Sequence, residues 1–270
     1  MPSREGKALL CHYPGCSTRG IGEDMEIATR NVLKALGVEY KEIEGWVCCG
    51  TGVVEDASPL GTAVLVASNL SLAKEQGCSS VFTACGICAA QLMFWKGRMM
   101  KEEPLREEVK DLLESKHLKF NIDVKLLHIL DLLLENFKEE HVKRPLYNLR
   151  VSLYPGCGAK KFYNFYQGKD VFKMMEEVVK RTGAEVARRV DTCCGFPLMT
   201  YDKKVATDLA RKVVSESAGA DVIVTLCPFC QYQLDTSQKG VPVWHLHQLV
   251  GYAMGLSEKE LGLDKHVNKL

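Results

Sequence analysis

Three cysteine motifs, YPGC, CCG and CxxC, each occur once in either half of the chain and in the same order. The two copies of these motifs are separated by 141, 145 and 142 residues respectively. Such agreement across three motifs indicates an internal duplication. We expect a first cysteine-rich domain at residues 1–145 and a second at residues 146–270. The motifs contain ten cysteines: Cys16, Cys48, Cys49, Cys85 and Cys88 in the first copy, and Cys157, Cys193, Cys194, Cys227 and Cys230 in the second.

The segments between the motifs predict alternating strands and helices. A short apolar stretch precedes each YPGC, at residues 8–10 and 151–153, and a helical pattern follows it and stops near Gly37 or Gly183. This alternation predicts an α/β fold of two tandem Rossmann-like repeats with parallel sheets, related by a pseudo-twofold axis. Because every motif follows a predicted strand, the five cysteines of a repeat should gather at the carboxyl edge of its sheet, where ligands usually bind.

Charge and hydropathy exclude several kinds of partner. The formal net charge is +1, which gives no long-range attraction to nucleic acid or to an anionic membrane. The sequence has no run of 18 apolar residues and starts without the apolar segment of a secretory signal. We therefore expect a cytoplasmic protein without a membrane span. Cysteines in that compartment bind metal or do redox chemistry more often than they form disulfides.

Five thiols per repeat favour an iron–sulfur cluster over the alternatives. A thioredoxin-like dithiol would account for CxxC alone and leave three cysteines of each repeat unused. A structural zinc ion takes four ligands, so a fifth thiol would remain, although zinc in at least one repeat stays open. Iron–sulfur clusters are held by cysteine thiolates, and adjacent thiolates are more easily placed on two irons of a cluster than on one small ion.

Several other residues are expected in the core or at the surface. Cys11 and Cys78 have no counterparts, because Ser152 and Ala220 occupy the equivalent positions, and we expect both to be buried thiols or spectators. His128 and His247 match between the repeats, within apolar stretches, and are predicted to be core histidines. The first repeat has about 23 extra residues near Gly97–Phe120, which predict a solvated surface helix or, alternatively, a docking element.

The strings YPGC, DTCCGFPLM and CPFC resemble the B subunit of heterodisulfide reductase, a family with a duplicated cysteine-rich CCG domain. The resemblance extends over about residues 8–255 and also includes relatives in succinate dehydrogenases, glycolate oxidase and lactate-utilisation proteins. It implies two noncubane 4Fe–4S clusters, one on each set of five cysteines. It also implies a catalytic subunit that reduces a disulfide, CoM-S-S-CoB of methanogenesis or a similar one, to two thiols by one-electron transfers from both clusters.

The resemblance further implies partner subunits that supply the electrons. The chain has neither a ferredoxin motif CxxCxxCxxxC nor a dinucleotide fingerprint GxGxxG. A ferredoxin-like C subunit and a flavin-containing A subunit are therefore expected in a multi-subunit complex. Two alternatives remain open: a component of a sulfur-oxidising complex with heterodisulfide-reductase-like subunits, and a non-catalytic electron-relay subunit of a dehydrogenase with zinc in one repeat.

Three further residues are candidates for substrate chemistry. Arg19 and Lys160 each lie three residues after the first cysteine of their repeat, where a cation would suit the acidic substrates of this family; two exposed surface cations are the alternative. His12 lies close to YPGC and is a candidate proton donor to a thiolate, because the pKa of histidine is near neutrality. A structural role for His12 is the alternative.

Overall fold

The structure is a computed structural model that describes residues 9–270, so Ala8 of the first predicted strand lies outside the described residues. The first repeat consists of β1 (Leu9–His12), α1 (Glu23–Ala35), β2 (Lys41–Glu42), α2 (Val53–Ala57), α3 (Pro59–Glu75), β3 (Cys78–Thr83), α4 (Gly86–Lys101), α5 (Glu103–Glu114), β4 (Lys125–His128) and α6 (Ile129–Asn136). The second consists of β5 (Arg150–Tyr154), α7 (Gly156–Lys160), α8 (Val171–Arg181), β6 (Glu185–Arg189), α9 (Lys203–Glu216), β7 (Val222–Thr225), α10 (Pro228–Thr236), β8 (Val243–His245) and α11 (Leu246–Ala253).

The strands form two four-stranded sheets with the same order, β2-β1-β3-β4 and β6-β5-β7-β8, and every pairing is parallel. The predicted α/β class and parallel sheets are therefore confirmed. Gly37 and Gly183 follow α1 and α8 with φ values of 68° and 87°, a conformation that glycine adopts without strain. The helix ends that these glycines predict for α1 and α8 are therefore confirmed.

The fourth strands correct one match made from the sequence. β4 and β8 pair with β3 and β7 so that Thr83 lies beside His128 and Thr225 beside His245. His128 and His245 are both the N-cap residues of the helices that follow, and the backbone amide of each donates a hydrogen bond to the side chain of the third helical residue, Asp131 or Gln248. His128 therefore corresponds to His245, and the match with His247 was wrong by two residues. All three histidines are buried, as predicted for His128 and His247.

The two repeats pack on each other with reciprocal contacts. The helix α1 of the first repeat lies on α11 of the second, and α8 of the second lies on α6 of the first. The helices α4 and α7 approach closely, because a Cβ on Gly158 would lie 2.6 Å from the Cα of Ile87. The backbone amide of Gly86 donates a hydrogen bond of 2.9 Å to the carbonyl of Leu226. These contacts bring the ends of β3 and β7 together.

Cys11 and Cys78 are not free thiols. Both are buried, as expected, but they form a disulfide that joins the neighbouring strands β1 and β3. The counterparts Ser152 and Ala220 cannot form such a bond; Ser152 instead makes a buried hydrogen bond of 2.9 Å to Ser217. The expectation of two free thiols was wrong because adjacent parallel strands place these two side chains next to each other, which spacing alone does not reveal.

The extra segment of the first repeat forms the end of α4 and all of α5. One face of α5 is packed inward, with Val109 and Leu113 buried, and the helix contacts α3 and α4. The remaining side chains of α5 are mostly exposed. Among the described residues, no helix combines the length and the apolar character needed to cross a bilayer.

Candidate metal centre

The ten motif cysteines form two groups at the carboxyl edges of the sheets. In the first, the Sγ atoms of Cys16 and Cys48 are 3.5 Å apart and those of Cys49 and Cys88 are 3.6 Å apart. In the second, the Sγ atoms of Cys194 and Cys230 are 3.5 Å apart. All ten are free cysteines, so these distances join sulfurs that lie close together without being bonded.

The two groups meet at the interface between the repeats. Cys85 and Cys227 are the first cysteines of the two CxxC pairs, and their thiols lie close enough to shift each other's pKa, upward for Cys85 and downward for Cys227. Both are buried, whereas Cys16, Cys157 and Cys193 are exposed. Each group therefore runs from the protein surface to a shared, buried contact.

Local backbone structure explains why each CxxC sulfur faces the centre. Cys85 and Cys227 are the N-cap residues of α4 and α10, so both cysteines of each pair lie at the positive end of a helix, where a thiolate is stabilised. The glycine of each YPGC has a positive φ, 80° at Gly15 and 75° at Gly156. A Cβ on Gly156 would come within 2.9 Å of the Cys230 sulfur, so only glycine leaves room for it.

The tyrosine of each YPGC is a site residue that was missed in the sequence. The buried Tyr13 donates a hydrogen bond of 2.7 Å to the carbonyl of Val47, just before Cys48. Tyr154 does the same in the second repeat, with 2.9 Å to the carbonyl of Thr192. Each tyrosine thus ties its own motif to the CCG loop. Its recurrence in both copies of YPGC was the signal that could have revealed it.

The thiols influence one another's ionisation because they are so close. Hydrogen bonds from Cys16 and Cys49 lower the pKa of Cys48 to about 2, and those from Cys193 and Cys230 lower the pKa of Cys194 to about 4. The hydrogen bond with Cys48 in turn raises the pKa of Cys16, and that with Cys194 raises the pKa of Cys193. Several thiolates cannot share so small a volume without a cation among them.

This donor set fits an iron–sulfur cluster in each repeat. Iron–sulfur clusters take cysteine thiolates as ligands, and here five unpaired cysteines converge in each of two groups. Metal would supply the positive charge that lets closely spaced thiols ionise together. A single tetrahedral zinc ion would use four of the five. The residues that would hold the two clusters are the same two sets that the motifs define.

A cavity of about 560 Å³ opens beside the second group. The exposed Cys157 and Cys193 line it, together with aromatic side chains, two lysines and a carboxylate: Tyr154, Phe165, Tyr166, Lys160, Lys161 and Asp191. Lys160, predicted as a substrate residue, therefore lies in the cavity, where its Nζ forms an ion pair with Asp191. The cavity suits a ligand with an apolar body and an anionic group.

Arg19 lies at the position equivalent to Lys160 but in different surroundings. Its side chain is exposed, and its guanidinium lies 4.6 Å from the centre of the Trp46 ring. Stacking of this kind holds the cation at the surface of the first repeat. The two cations predicted together thus differ, because only Lys160 lines the cavity.

His12 does not have the surroundings of a proton donor. The ring is fully buried and stacked on Phe82, with centroids 4.6 Å apart. Burial, and then the positive charge of Arg30, lower the pKa of His12 to about 3, so it is neutral at physiological pH. The nearest carboxylate is that of Glu26, 3.8 Å away. A proton-donor role for His12 is therefore not supported.

Comparison with known proteins agrees with the geometry. Residues 10–93 and 151–235 match the model of the CCG family, described as a cysteine-rich domain. The chain is 30% identical to the 8-methylmenaquinol:fumarate reductase membrane anchor subunit of Wolinella succinogenes, over 94% of this chain and 95% of that protein. It is 29% identical to a protein of Archaeoglobus profundus named as similar to the B subunit of heterodisulfide reductase, over 93% and 92% of the two chains.

A third relative is the B subunit of a ferredoxin/F(420)H(2)-dependent CoB-CoM heterodisulfide reductase from Methanosarcina acetivorans, 27% identical over 96% of this chain and 93% of that one. A crystal structure of a hypothetical protein from Helicobacter pylori superimposes with a TM-score of 0.78 and 15% identity, over 98% of this chain and 53% of that one, and so shares the fold. The chain therefore belongs to the CCG cysteine-rich domain family, as a duplicated member related to the B subunits of heterodisulfide reductases.

Proposed function

We propose that this chain is the catalytic iron–sulfur subunit of a heterodisulfide reductase-type complex. Its two five-cysteine groups would each bind a noncubane 4Fe–4S cluster, and the substrate would be a disulfide such as CoM-S-S-CoB. The observation that supports this most is the presence of two complete groups of five free cysteines, with the buried Cys85 and Cys227 near each other at the interface of the repeats. The relatives named as B subunits of heterodisulfide reductases support the same substrate class.

Two adjacent one-electron centres suit a two-electron reaction. Cleaving a disulfide takes two electrons, and bound iron–sulfur clusters would supply them singly and stabilise the thiolates formed. The chain's own contribution would be to hold the two groups of thiols next to each other at the interface between the repeats. The burial of Cys85 and Cys227 excludes water from the point where the groups meet.

The cavity beside the second group would hold part of the substrate. Lys160 and Lys161 line it and would attract an anionic group, while Phe165 and Tyr166 would contact an apolar chain. The exposed Cys157 and Cys193 bring the second cysteine group to the cavity wall. Lys160 would then be a substrate-binding residue rather than part of the electron path.

Metal content and rapid mixing test this proposal. Protein purified without oxygen should contain about eight irons, four for each cluster, so that neither cysteine group is left for zinc. Mixing the reduced protein with CoM-S-S-CoB should reoxidise both clusters, as followed by absorbance and electron paramagnetic resonance. Replacing Cys157 with serine should impair one cluster, whereas the control Cys78→Ala should retain the iron of both. Full iron content without any reaction with disulfides would refute the disulfide chemistry.

A second candidate is electron transfer with a quinol. The relative from Wolinella succinogenes carries 8-methylmenaquinol:fumarate reductase in its name, and it is 30% identical to this chain. The aromatic side chains of the cavity would also suit a quinol ring. Oxidised protein mixed with a menaquinol analogue should then become reduced, while CoM-S-S-CoB should leave the reduced protein unchanged.

The proposal includes partners and a cellular location. The relatives are named as subunits of reductases, and we propose that this chain receives electrons from a ferredoxin-like C subunit and a flavin-containing A subunit in the cytoplasm. Affinity purification of the tagged full chain from its native host, followed by mass spectrometry, would identify the proteins bound to it. Recovery of the chain alone at native expression level would contradict the multi-subunit assembly.

A further inference from the structure

A second group of ligating side chains lies in the first repeat and contains no cysteine. His12 ends β1, Glu42 ends β2 and pairs with His12 in the sheet register, and Glu26 projects from α1. One nitrogen or oxygen atom from each of these three side chains lies within 4.8 Å of the other two. Three different elements thus bring an imidazole and two carboxylates to one place.

Two of these groups are buried without partners. Neither ring nitrogen of His12 has a hydrogen bond within the described residues, and neither has Oε2 of Glu26. The distance between His12 Nε2 and Glu26 Oε2 is 3.8 Å, too long for a hydrogen bond. A buried polar atom without a partner destabilises a fold by about 1–3 kcal/mol, so this arrangement calls for an occupant between the two atoms.

Surrounding side chains orient the Glu26 carboxylate and the His12 ring. Arg30 donates to Oε1 of Glu26 at 2.6 Å and to Oε2 of Glu42 at 2.8 Å, which leaves Oε2 of Glu26 facing the imidazole. The His12 ring is stacked on Phe82 and cannot turn away without losing this contact. Neither ring nitrogen is engaged in a hydrogen bond with any residue that the structure describes, so a nitrogen lone pair of the imidazole is available to a cation.

The second repeat shows that the fold does not need these residues. By strand register and helix position, His12 corresponds to Leu153, Glu26 to Phe172 and Glu42 to Arg189. Arg30 corresponds to Glu176, so the ion pair between Arg30 and Glu42 has a counterpart of opposite charge between Glu176 and Arg189. The ion pair is kept with its charges exchanged, whereas the buried imidazole and carboxylate are replaced by apolar side chains.

We propose that His12, Glu26 and Glu42 bind a divalent transition-metal ion, zinc in the first place. One imidazole nitrogen and two carboxylate oxygens are ligands that zinc accepts at about 2.0–2.2 Å, so two atoms on one ion lie at most about 4.4 Å apart. The separation of 3.8 Å between His12 and Glu26 is within this limit. Glu42 is partly exposed, so its carboxylate can adjust and an ion can enter from the surface.

Zinc binding to the cluster-loaded protein tests the site. Wild type and the double variant His12→Leu/Glu26→Phe, which copies the second repeat, are purified without oxygen and equilibrated with zinc sulfate. After gel filtration, zinc and iron are measured together. Wild type should retain about one zinc more per chain than the double variant, and the iron content of the two should be equal. Equal zinc in both would overturn the proposal.

Single variants keep the test valid if the double variant does not fold. Glu42→Gln changes a partly exposed side chain and should lower zinc affinity at least tenfold in competition with a chromophoric chelator, at unchanged iron content. The control Glu44→Gln removes an exposed carboxylate two residues away and should bind zinc as wild type does. Equal affinity for zinc in wild type, Glu42→Gln and Glu44→Gln would overturn the proposal.

Discussion

Replacing Gly156 with alanine is expected to remove iron from the second cysteine group and to leave the first intact. Gly156 has a φ of 75°, and an added Cβ would lie 2.9 Å from Sγ of Cys230. Ordinary contacts of a Cβ begin at 3.4 Å, so the sulfur or the loop would have to move by about 0.5 Å. Metal–ligand distances tolerate deviations of only about 0.2 Å, so the Cys230 ligand should be lost or badly placed.

Backbone strain has to be separated from this contact. A non-glycine residue in the left-handed region destabilises a protein by about 1–2 kcal/mol wherever it occurs. Gly168 offers a matched control, because it has a φ of 65° and an added Cβ there would meet no atom within 4 Å. Gly156→Ala and Gly168→Ala should therefore share the loss of stability, and only the former should disturb a metal ligand.

Iron analysis and thermal unfolding of anaerobically purified protein measure the two effects. We expect about eight irons per chain in wild type and Gly168→Ala, and about four in Gly156→Ala, with a lowered melting temperature in both variants. The equivalent change Gly15→Ala should be milder, because its Cβ would lie 3.1 Å from the Cys88 sulfur. Iron content in Gly156→Ala equal to that in Gly168→Ala would refute the assignment of Cys230 as a ligand held by this close contact.

Three other changes have distinct expected results. Tyr154→Phe removes the hydrogen bond to the Thr192 carbonyl, and should lower the free energy of unfolding by about 0.5–1.5 kcal/mol and speed iron loss to a chelator. The double change Cys11→Ser/Cys78→Ala removes a disulfide that closes a loop of 67 residues, and should lower the free energy of unfolding by up to about 4 kcal/mol. The iron content should stay constant, and a fall in iron would contradict a purely structural role of this bond. Burial, and then the charge of His245, lower the pKa of His247 to about 3. Between pH 6.5 and 3 the imidazole of His247 is therefore protonated in the unfolded chain but not in the folded one, so the free energy of unfolding decreases as the pH falls. Calorimetry from pH 7.5 to 5.5 should show a shallower decline for His247→Gln than for wild type, and identical slopes would contradict this pKa.

The sequence was sufficient to predict the repeated unit and the convergence of its cysteines. Motif spacing revealed the duplication, and strand–helix alternation with motifs after strands placed each cysteine group at one edge of a parallel sheet. This reasoning needs only the order and type of the strands and helices, which the periodicity of apolar residues indicates well. The proximity of Cys85 to Cys227 could not be predicted in this way, because it depends on how the two repeats pack. Two glycines, Gly86 in α4 and Gly158 in α7, allow those helices to approach closely.

Residues with a role in only one repeat were the least predictable. His12 looked like a proton donor because of its position next to a motif, but its side chain points into a packed aromatic environment. Cys11 and Cys78 looked like spectators because the second repeat lacks them, yet strand pairing sets their Cα atoms 5.8 Å apart. Lys160 and Arg19 occupy the same position relative to their motifs, but the residues around them differ, and the spacing of motifs in the sequence does not reveal these neighbours.

The reciprocal packing of α1 on α11 and of α8 on α6 has a consequence for the origin of the chain. Each repeat covers an apolar helix of the other, so a protein with one repeat would expose both of these surfaces to water. Two identical single-repeat proteins could cover them by forming a symmetric homodimer. After fusion of two such genes, the sequences of the two halves could diverge independently. The equivalent ion pairs illustrate this, because Arg30 and Glu42 in the first repeat correspond to Glu176 and Arg189, with the charges reversed, in the second.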